Sequence, residues 1–146
     1  MFFPVGGGGL GAGVTTALTE LRPGAALTGV EPEGAAAFGA ALRAGKPVRL
    51  DRTESIADGL LPLSVGTITF NHLRGRADAV TVSGAAIVEA TYWLRGEAGV
   101  FAEPSGAVTT AAIRSGALHP EGPTVLIVSG GNADTKLLES LSKFES

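Results

Sequence analysis

The residues with the clearest chemical pattern are the glycines near the start of the chain. A short apolar run, Phe2 to Val5, leads into Gly6-Gly7-Gly8-Gly9-Leu10, and a helix-forming stretch, Val14 to Leu21, follows. Consecutive glycines allow backbone N–H groups to converge on an anion without obstruction by Cβ atoms. The start of the helix would add unpaired N–H groups and the positive end of its dipole. The pattern therefore predicts a phosphate-binding loop.

Two kinds of phosphate ligand fit this loop. The glycines at positions 6, 8 and 11 satisfy the dinucleotide fingerprint, and Glu31, about twenty residues further on, lies where an acid that binds the ribose is expected. A dinucleotide loop does not need Gly7 and Gly9, whereas four successive glycines suit one compact phosphate group. The alternative hypothesis is thus a small Rossmann-like dinucleotide- or phosphate-binding module that uses Gly6 to Gly11 and Glu31. A flexible glycine linker is less favoured because apolar segments flank the run.

Composition limits the classes of protein to which the chain can belong. A length of 146 residues with 45% hydrophobic residues fits one globular domain. Aromatic residues are few, so the core is expected to consist of Ala, Val, Leu and Ile, as in α/β proteins. A net charge of −3 with 11 scattered basic residues predicts no nucleic-acid partner. Without cysteine, a signal-peptide pattern or a long apolar span, we expect a cytoplasmic location and no membrane association.

Alternating strand and helix patterns place these glycines in an α/β fold. We predict an open, mainly parallel sheet of about four strands with helices on both faces. The predicted strands are 2–5, 26–30, 79–82 and 124–128, and the predicted helices are 10–21, 35–44, 65–73, 85–95, 107–114 and one near the C-terminus. Residues 48–64 are predicted to form a long ordered loop at one end of the sheet. One apolar sheet edge is expected to remain exposed, which favours self-association into a homo-oligomer.

A second strand end also has residues suited to binding a ligand. The β-branched run Thr124 to Val128 ends in Ser129-Gly130-Gly131-Asn132. In open α/β folds, ligands bind at the carboxyl ends of the strands. The run therefore places a hydroxyl group and two glycines at the same sheet edge as the first glycine loop.

Taken together, these two strand ends give the sequence a resemblance to the fold-type II pyridoxal-phosphate enzymes. It is similar to their threonine dehydratase and serine racemase branch over nearly the whole chain, through five motifs in the family's order. These motifs are Pro4 to Leu10, Gly29 to Ala35, Ile56 to Gly59, Ala102 to Ala107 and Val128 to Asn132. The resemblance implies part of the large, tryptophan synthase beta-like domain and pyridoxal phosphate as cofactor. It also implies a lyase that converts a small hydroxy amino acid to an α-keto acid and ammonia.

The resemblance also assigns residues to the cofactor. It implies that the phosphate is bound by Gly6, Gly7, Gly8, Gly9 and Leu10. It implies that the Ser129 hydroxyl meets the pyridine nitrogen, with Gly130 beside it. A neutral hydroxyl cannot hold a pyridinium proton as an aspartate would, so the ring is a weaker electron sink and β-elimination is favoured. The alternative for Ser129 is a cap of the helix that follows Asn132.

Two further positions are implied to lie near the cofactor. In the resembling family, Asp58-Gly59 borders the ring through its backbone, and Glu103 lies near the cofactor pocket. From the residues alone, Asp58-Gly59 could equally form a simple turn. Glu103 could equally be an acid stabilised by the dipole at a helix N-terminus. Both alternatives stay open at this stage.

A divalent cation is the last ligand that the resemblance implies. Serine-racemase-like members hold one with the acid matching Glu31, a backbone carbonyl near Ala35 and a second acid that falls at Ala37. Alanine offers no side-chain oxygen, so a site here would rely on Glu31, carbonyl groups and water. We therefore expect any metal to bind weakly.

The lysines do not match the family's Schiff-base motif. The chain contains only Lys46, Lys136 and Lys143, one in a turn and two in the predicted terminal helix. We therefore predict no catalytic residue in this chain. Residues 1–146 are interpreted as one α/β domain, the carboxy-terminal part of a larger enzyme, which is inactive without its amino-terminal complement. A split gene, a truncated reading frame or a deliberately shortened protein would each account for this.

Overall fold

A small parallel sheet forms the centre of the molecule. A computed structural model describes residues 1–132, in which the strands are ordered β1-β2-β3. Their bounds are β1 (Phe2–Pro4), β2 (Thr28–Pro32) and β3 (Asp78–Val82). Phe2 pairs with Thr28, and Thr28 with Asp78, so the three strands run in parallel and end at one edge. β1 ends at Pro4, just before the chain turns into the run of four glycines, 6–9.

Helices connect the strands and cover the sheet. Their bounds are α1 (Gly9–Leu21), α2 (Ala37–Ala44), α3 (Thr67–Leu73), α4 (Gly84–Gly96) and α5 (Pro104–Arg114). The Ser83 hydroxyl begins α4 by accepting a hydrogen bond from the N–H of Ala86 at 3.2 Å. Pro104 is the first residue of α5, a position at which an N–H group would have no partner within the helix, so its absence costs no hydrogen bond. Gly45, with φ of 68°, ends α2 in the left-handed conformation.

Two apolar cores lie on opposite faces of the sheet, which confirms the predicted layers. Adjacent side chains of β1 divide between them, because Phe2 joins one core and Phe3 the other. The first core packs the sheet against α4 and α5, through side chains such as Ile87 and Val108. The second packs it against α2 and α3, through side chains such as Phe38. The α/β prediction with helices on both faces is therefore confirmed.

The predicted fourth strand is the main error in the fold. Residues 124–128 form only an isolated parallel bridge between Leu126 and Phe2. Phe2 N donates to the carbonyl of Val125 and Ile127 N donates to the carbonyl of Phe2, each at 2.9 Å. The segment lies beside β1 in the expected direction, but the next donor to it from β1 would be Pro4, which has no N–H, and the Ile127 carbonyl accepts from Thr109 Oγ1 instead.

The remaining boundaries shift by a few residues. The second strand begins at Thr28 and ends at Pro32, two residues later than predicted at each end. α5 begins three residues earlier than predicted because Pro104 suits the first helical position. The loop predicted at 48–64 is confirmed as irregular except for a 3-10 turn at Asp58–Leu60. The predicted terminal helix lies outside the described residues.

Among residues 1–132 the longest helices have 13 residues, and none combines the length and the apolar character of a transmembrane span.

Candidate functional site

The glycine loop, Gly6–Gly9, connects the end of β1 to the start of α1. Val5 is fully buried and donates its N–H to the carbonyl of Val30 at 2.9 Å, so the loop leaves the sheet from a fixed point. Gly8 precedes α1 with φ of 88° and ψ of 1°, a left-handed conformation that glycine adopts without steric cost. The first intrahelical bond joins Ala12 N to the Gly8 carbonyl at 2.8 Å. The N–H groups of the first turn are therefore left for a ligand.

Protein packing explains only some of these glycines. A Cβ atom on Gly6 would lie 3.1 Å from the Cα of Leu60 and 3.2 Å from the Gly59 carbonyl oxygen. By contrast, a Cβ on Gly7 would meet its nearest neighbour, Pro62, at 3.9 Å, and one on Gly9 would meet no described atom within 4 Å. Gly7 and Gly9 both line an open pocket. A ligand in that pocket would use the space that side chains at these two positions would fill.

The pocket in front of the loop has a volume of about 200 Å³. The structure brings together there seven of the predicted cofactor-binding residues. They are Gly6, Gly7, Gly8, Gly9, Leu10, Gly59 and Ser129, and the other lining residues are Pro4 and Leu60. The loop and Ser129 are more than a hundred residues apart in sequence, yet they line one cavity. Its volume is large enough for a phosphate-sized anion.

Gly130 and Glu103 contact each other next to Ser129. Gly130 has φ of 91°, and a Cβ there would collide with Oε1 of Glu103. Glu103 N donates to the Gly130 carbonyl at 3.2 Å, and Glu103 Oε2 accepts from Asn132 N at 3.1 Å. Glu103 therefore holds the turn at 130–132 from the side, just before the start of α5. The structure places these two residues next to the pocket lining rather than in it.

Ser105 is a site residue that the sequence interpretation did not single out. Its side chain is buried, and its Oγ accepts a hydrogen bond from Gly59 N at 2.9 Å. Gly59 also receives support from Asp58, whose Oδ1 accepts from the same N–H at 2.9 Å. Ser105 lies inside the Ala102 to Ala107 motif, but its partner is distant in sequence and no local pattern indicates that contact.

Thr69 is a second residue that the sequence did not indicate. Its Oγ1 donates to the Gly7 carbonyl at 2.8 Å from the side of the loop that faces α3. A threonine in the middle of a short helix is ordinarily a neutral choice, so its type gives no signal. Only the packing of α3 against the loop shows this role.

Glu31 has a structural environment that does not suit ribose binding. It is fully buried at the end of β2. Its Oε1 accepts from Phe38 N at 2.6 Å and its Oε2 from Gly39 N at 2.8 Å. The residue before α2 is Ala36, which has no side-chain acceptor, so Glu31 caps α2 from outside the helix. The dinucleotide alternative is wrong on this point, because an acid enclosed in this way cannot reach a ribose hydroxyl.

Two opposing effects set the pKa of Glu31. Burial raises the pKa to about 7, while the hydrogen bonds from Gly39 and Phe38 and the charge of Arg43 lower it. Burial is the larger effect because it removes the carboxylate from water. The position that lets the acid cap α2 therefore also favours its protonated form.

The metal hypothesis has a weak donor set in this structure. Ala35 is buried in the 3-10 turn Glu33–Ala35, between β2 and α2. Both carboxylate oxygens of Glu31 already accept backbone hydrogen bonds. Among residues 1–132, no three acidic, histidine or cysteine side chains gather as a metal centre requires. A cation held by Glu31 and Ala35 stays a prediction.

The lysine that is described lies away from the pocket. Lys46 is exposed in the turn after α2 and does not belong to the pocket lining. Lys136 and Lys143 lie outside the described residues. The described residues therefore provide an anion pocket without an amine for a Schiff base.

Comparisons with known proteins agree with this geometry. The family model described as "Pyridoxal-phosphate dependent enzyme" matches residues 1–130. The biosynthetic L-threonine dehydratase of Mycobacterium tuberculosis is 42% identical over 134 residues, which is 90% of this chain and 31% of that protein. The crystal structure of a threonine deaminase from T.th. is 43% identical with a TM-score of 0.86, over 91% of this chain and 49% of that one.

A serine racemase is also similar in structure. The maize enzyme is 34% identical with a TM-score of 0.86, covering 99% of this chain and 46% of that one. The chain thus spans about a third of the curated relative and about half of these two solved structures. With a family model matched across nearly all described residues, the chain belongs to the pyridoxal-phosphate dependent enzyme family.

Proposed function

We propose that this chain is the part of a threonine or serine ammonia-lyase that binds the phosphate and ring nitrogen of pyridoxal phosphate. The observation that carries the proposal is the single pocket that the glycine loop, Gly59 and Ser129 line together. The relatives named as threonine dehydratase and threonine deaminase support a small hydroxy amino acid as substrate. The reaction would release an α-keto acid and ammonia by β-elimination.

The chain's own residues would bind and orient the cofactor. Backbone N–H groups of Gly6–Gly9 and Leu10 would hold the phosphate beside the N-terminus of α1. Gly59 would border the ring through its backbone, and Gly130 and Glu103 would support that side of the pocket. Pyridoxal phosphate, when bound, supplies the electron-withdrawing ring that stabilises negative charge at the substrate Cα.

Ser129 would set the electronic character of the site. Its Oγ can donate to or accept from a ring nitrogen, but a neutral hydroxyl does not hold a full proton on that nitrogen as a carboxylate would. The ring therefore withdraws less charge, which favours a reaction in which negative charge leaves with the β-hydroxyl group. This property supports elimination over reactions that need long-lived charge at Cα.

The proposal includes a partner for the missing chemistry. We infer that the Schiff-base lysine belongs to an amino-terminal complement of the same enzyme, because Lys46 is exposed and outside the pocket. Self-association through an apolar sheet edge is part of the same proposal, since Val125, beside β1, is 52% exposed. The cytoplasmic location, expected from the cysteine-free composition, is kept as part of the proposal.

The decisive experiment titrates the chain separately with pyridoxal phosphate, inorganic phosphate and a nicotinamide dinucleotide. Gly8→Asp places a carboxylate and a Cβ in a left-handed position of the loop, so it should abolish saturable binding of the first two ligands. Gly24→Asp is the matched control, because Gly24 has φ of 96° and no described atom within 4 Å of its Cβ position. The control should bind as the parent does. Equal affinity of Gly8→Asp and the parent, or tighter binding of the dinucleotide, would contradict the proposal.

The activity is tested by adding an amino-terminal fragment of a related threonine dehydratase. The parent chain and the Gly24→Asp control should restore release of keto acid from threonine or serine, and Gly8→Asp should not. Release of keto acid by the parent chain alone would show that the complement is unnecessary.

A further inference from the structure

The Gly7 carbonyl is bound by two donors that lie outside the pocket. Thr69 Oγ1 donates to this oxygen at 2.8 Å, and Gly66 N donates to it at 3.2 Å. The Gly66 carbonyl lies 2.9 Å from the same hydroxyl, so two acceptors, one in the loop and one in the residue before α3, share the single Thr69 O–H. Gly7 lines the pocket, whereas Thr69 and Gly66 do not. The loop is therefore anchored from behind.

This anchor controls the direction of a peptide group. The Gly7 carbonyl and the Gly8 N–H belong to one planar trans peptide, in which the two bonds point in opposite directions. With the oxygen held toward α3, the Gly8 N–H points away from α3. Glycines on both sides make rotation of this peptide sterically inexpensive. A rotated peptide would turn a carbonyl oxygen, instead of an N–H, away from α3 and toward a bound anion.

The close contact between α3 and the loop leaves little freedom for other side chains. A Cβ atom on Gly8 would lie 2.9 Å from Thr69 Oγ1 and 3.3 Å from a methyl group of Leu73. The hydroxyl thus occupies the space next to Gly8, the left-handed residue that precedes α1. A side chain of the same size without a hydroxyl would fill this space but could not hold the carbonyl.

We propose that Thr69 is a positioning residue that fixes the Gly7–Gly8 peptide in the orientation that binds phosphate. This inference rests on the proposed function of the loop. It assigns to α3 a role in anion binding without contact between α3 and the anion. The role would be lost with the hydroxyl group and kept by any side chain that retains it.

The test compares Thr69→Val, which keeps the shape and removes the hydroxyl, with Thr69→Ser, which keeps the hydroxyl. Thr67→Val is the matched control, because Thr67 is exposed on the same helix. The affinity for inorganic phosphate is measured by calorimetry, and the exchange rate of the Gly66 amide is measured by NMR without ligand. Melting temperatures separate local from global effects.

We expect Thr69→Val to weaken phosphate binding about fivefold and to speed exchange of the Gly66 amide, since one hydrogen bond is worth about 1 kcal/mol and tenfold in affinity is about 1.4 kcal/mol. Thr69→Ser and Thr67→Val should bind within about twofold of the parent. If Thr69→Val does not fold, Thr69→Ala is compared with Thr69→Ser in the same way.

The outcomes separate this inference from the proposed function. If the parent and Thr69→Val bind phosphate equally well, the inference about Thr69 is overturned, and the glycine loop is still a phosphate-binding loop. Loss of affinity in Thr69→Ser equal to that in Thr69→Val would also overturn it, because the hydroxyl would then not be responsible. Failure of the parent chain itself to bind phosphate would overturn the proposed function and this inference together.

Discussion

The glycine loop and the segment around Ser129 both line the pocket, yet they are fixed by different means. The loop continues a buried strand, anchored by the Val5 to Val30 hydrogen bond. We call residues 127–132 the serine segment. Its link to the sheet is one isolated bridge, which joins the preceding residue, Leu126, to Phe2. The loop therefore depends on the core of the sheet, and the serine segment depends on another element.

That element is α5. The Thr109 hydroxyl donates to the Ile127 carbonyl at 3.1 Å, and Glu103 N donates to the Gly130 carbonyl. Gly106 brings the helix backbone directly against the Ser129 carbonyl, where a Cβ would collide. The comparison teaches that the main supports of the two ends differ, with β1 holding the phosphate end and α5 holding the ring end of the proposed site. Substitutions should therefore separate binding of phosphate from binding of the whole cofactor.

The largest effect on cofactor binding is expected from Gly106→Ala, which breaks the support of the serine segment. The added Cβ meets the Ser129 carbonyl, so the backbone must move, and we expect a loss of about 2 kcal/mol in the free energy of unfolding. Pyridoxal phosphate should bind more weakly, while inorganic phosphate should bind nearly as well as before. Urea unfolding and calorimetry measure the two effects.

Gly13→Ala is the control for this substitution. Gly13 is also helical, but its Cβ would meet no described atom within 4 Å. Alanine should there stabilise α1 by up to about 1 kcal/mol, because it favours helix over glycine. Equal loss of phosphate and cofactor affinity in Gly106→Ala would show that the two walls are coupled rather than independent.

A third strand end sharpens the comparison, because at the end of β2 a buried acid caps a helix. The pKa of Glu31 is raised from 4.5 to about 7, so folding favours its protonated form. The stability from this group is complete below about pH 4.5 and is lost as the pH rises through about 7, which amounts to at most about 3 kcal/mol. Glu31→Gln should remove this decline and leave phosphate affinity unchanged.

Urea unfolding at about pH 5 and about pH 8 measures the effect. Glu20→Gln is the matched control, because Glu20 is exposed on α1. It should keep the decline of the parent. The opposite result would be a parent that is more stable at the higher pH than at the lower one, with this gain absent in Glu31→Gln. It would show that the two backbone hydrogen bonds to Glu31 outweigh burial.

How much of the site could be predicted depends on the range of each contact. The glycine loop and Ser129 could be identified because local motifs at strand ends carry them, and parallel strands deliver both to one edge. The contacts of Thr69 with Gly7 and of Ser105 with Gly59 join residues 62 and 46 positions apart, so no local pattern indicates them. The sequence did not indicate the role of Glu31 for a related reason. Glu31 caps α2 because Ala36, the residue before that helix, has no side-chain acceptor.

The smallest effect is expected from Ser105→Ala, which tests whether α5 supports both sides of the pocket. Ser105 Oγ accepts from Gly59 N, and Gly59 packs against Gly6. Because Asp58 also accepts from this N–H, removal of the hydroxyl should cost only about 1 kcal/mol in the free energy of unfolding. Affinity for pyridoxal phosphate should fall a few-fold. Ser83→Ala is the matched control, since it removes a hydroxyl acceptor from the start of α4, at a similar cost in stability. If both variants bind the cofactor equally well, α5 supports the serine segment alone, and the wall formed by Gly59 is held by its own turn.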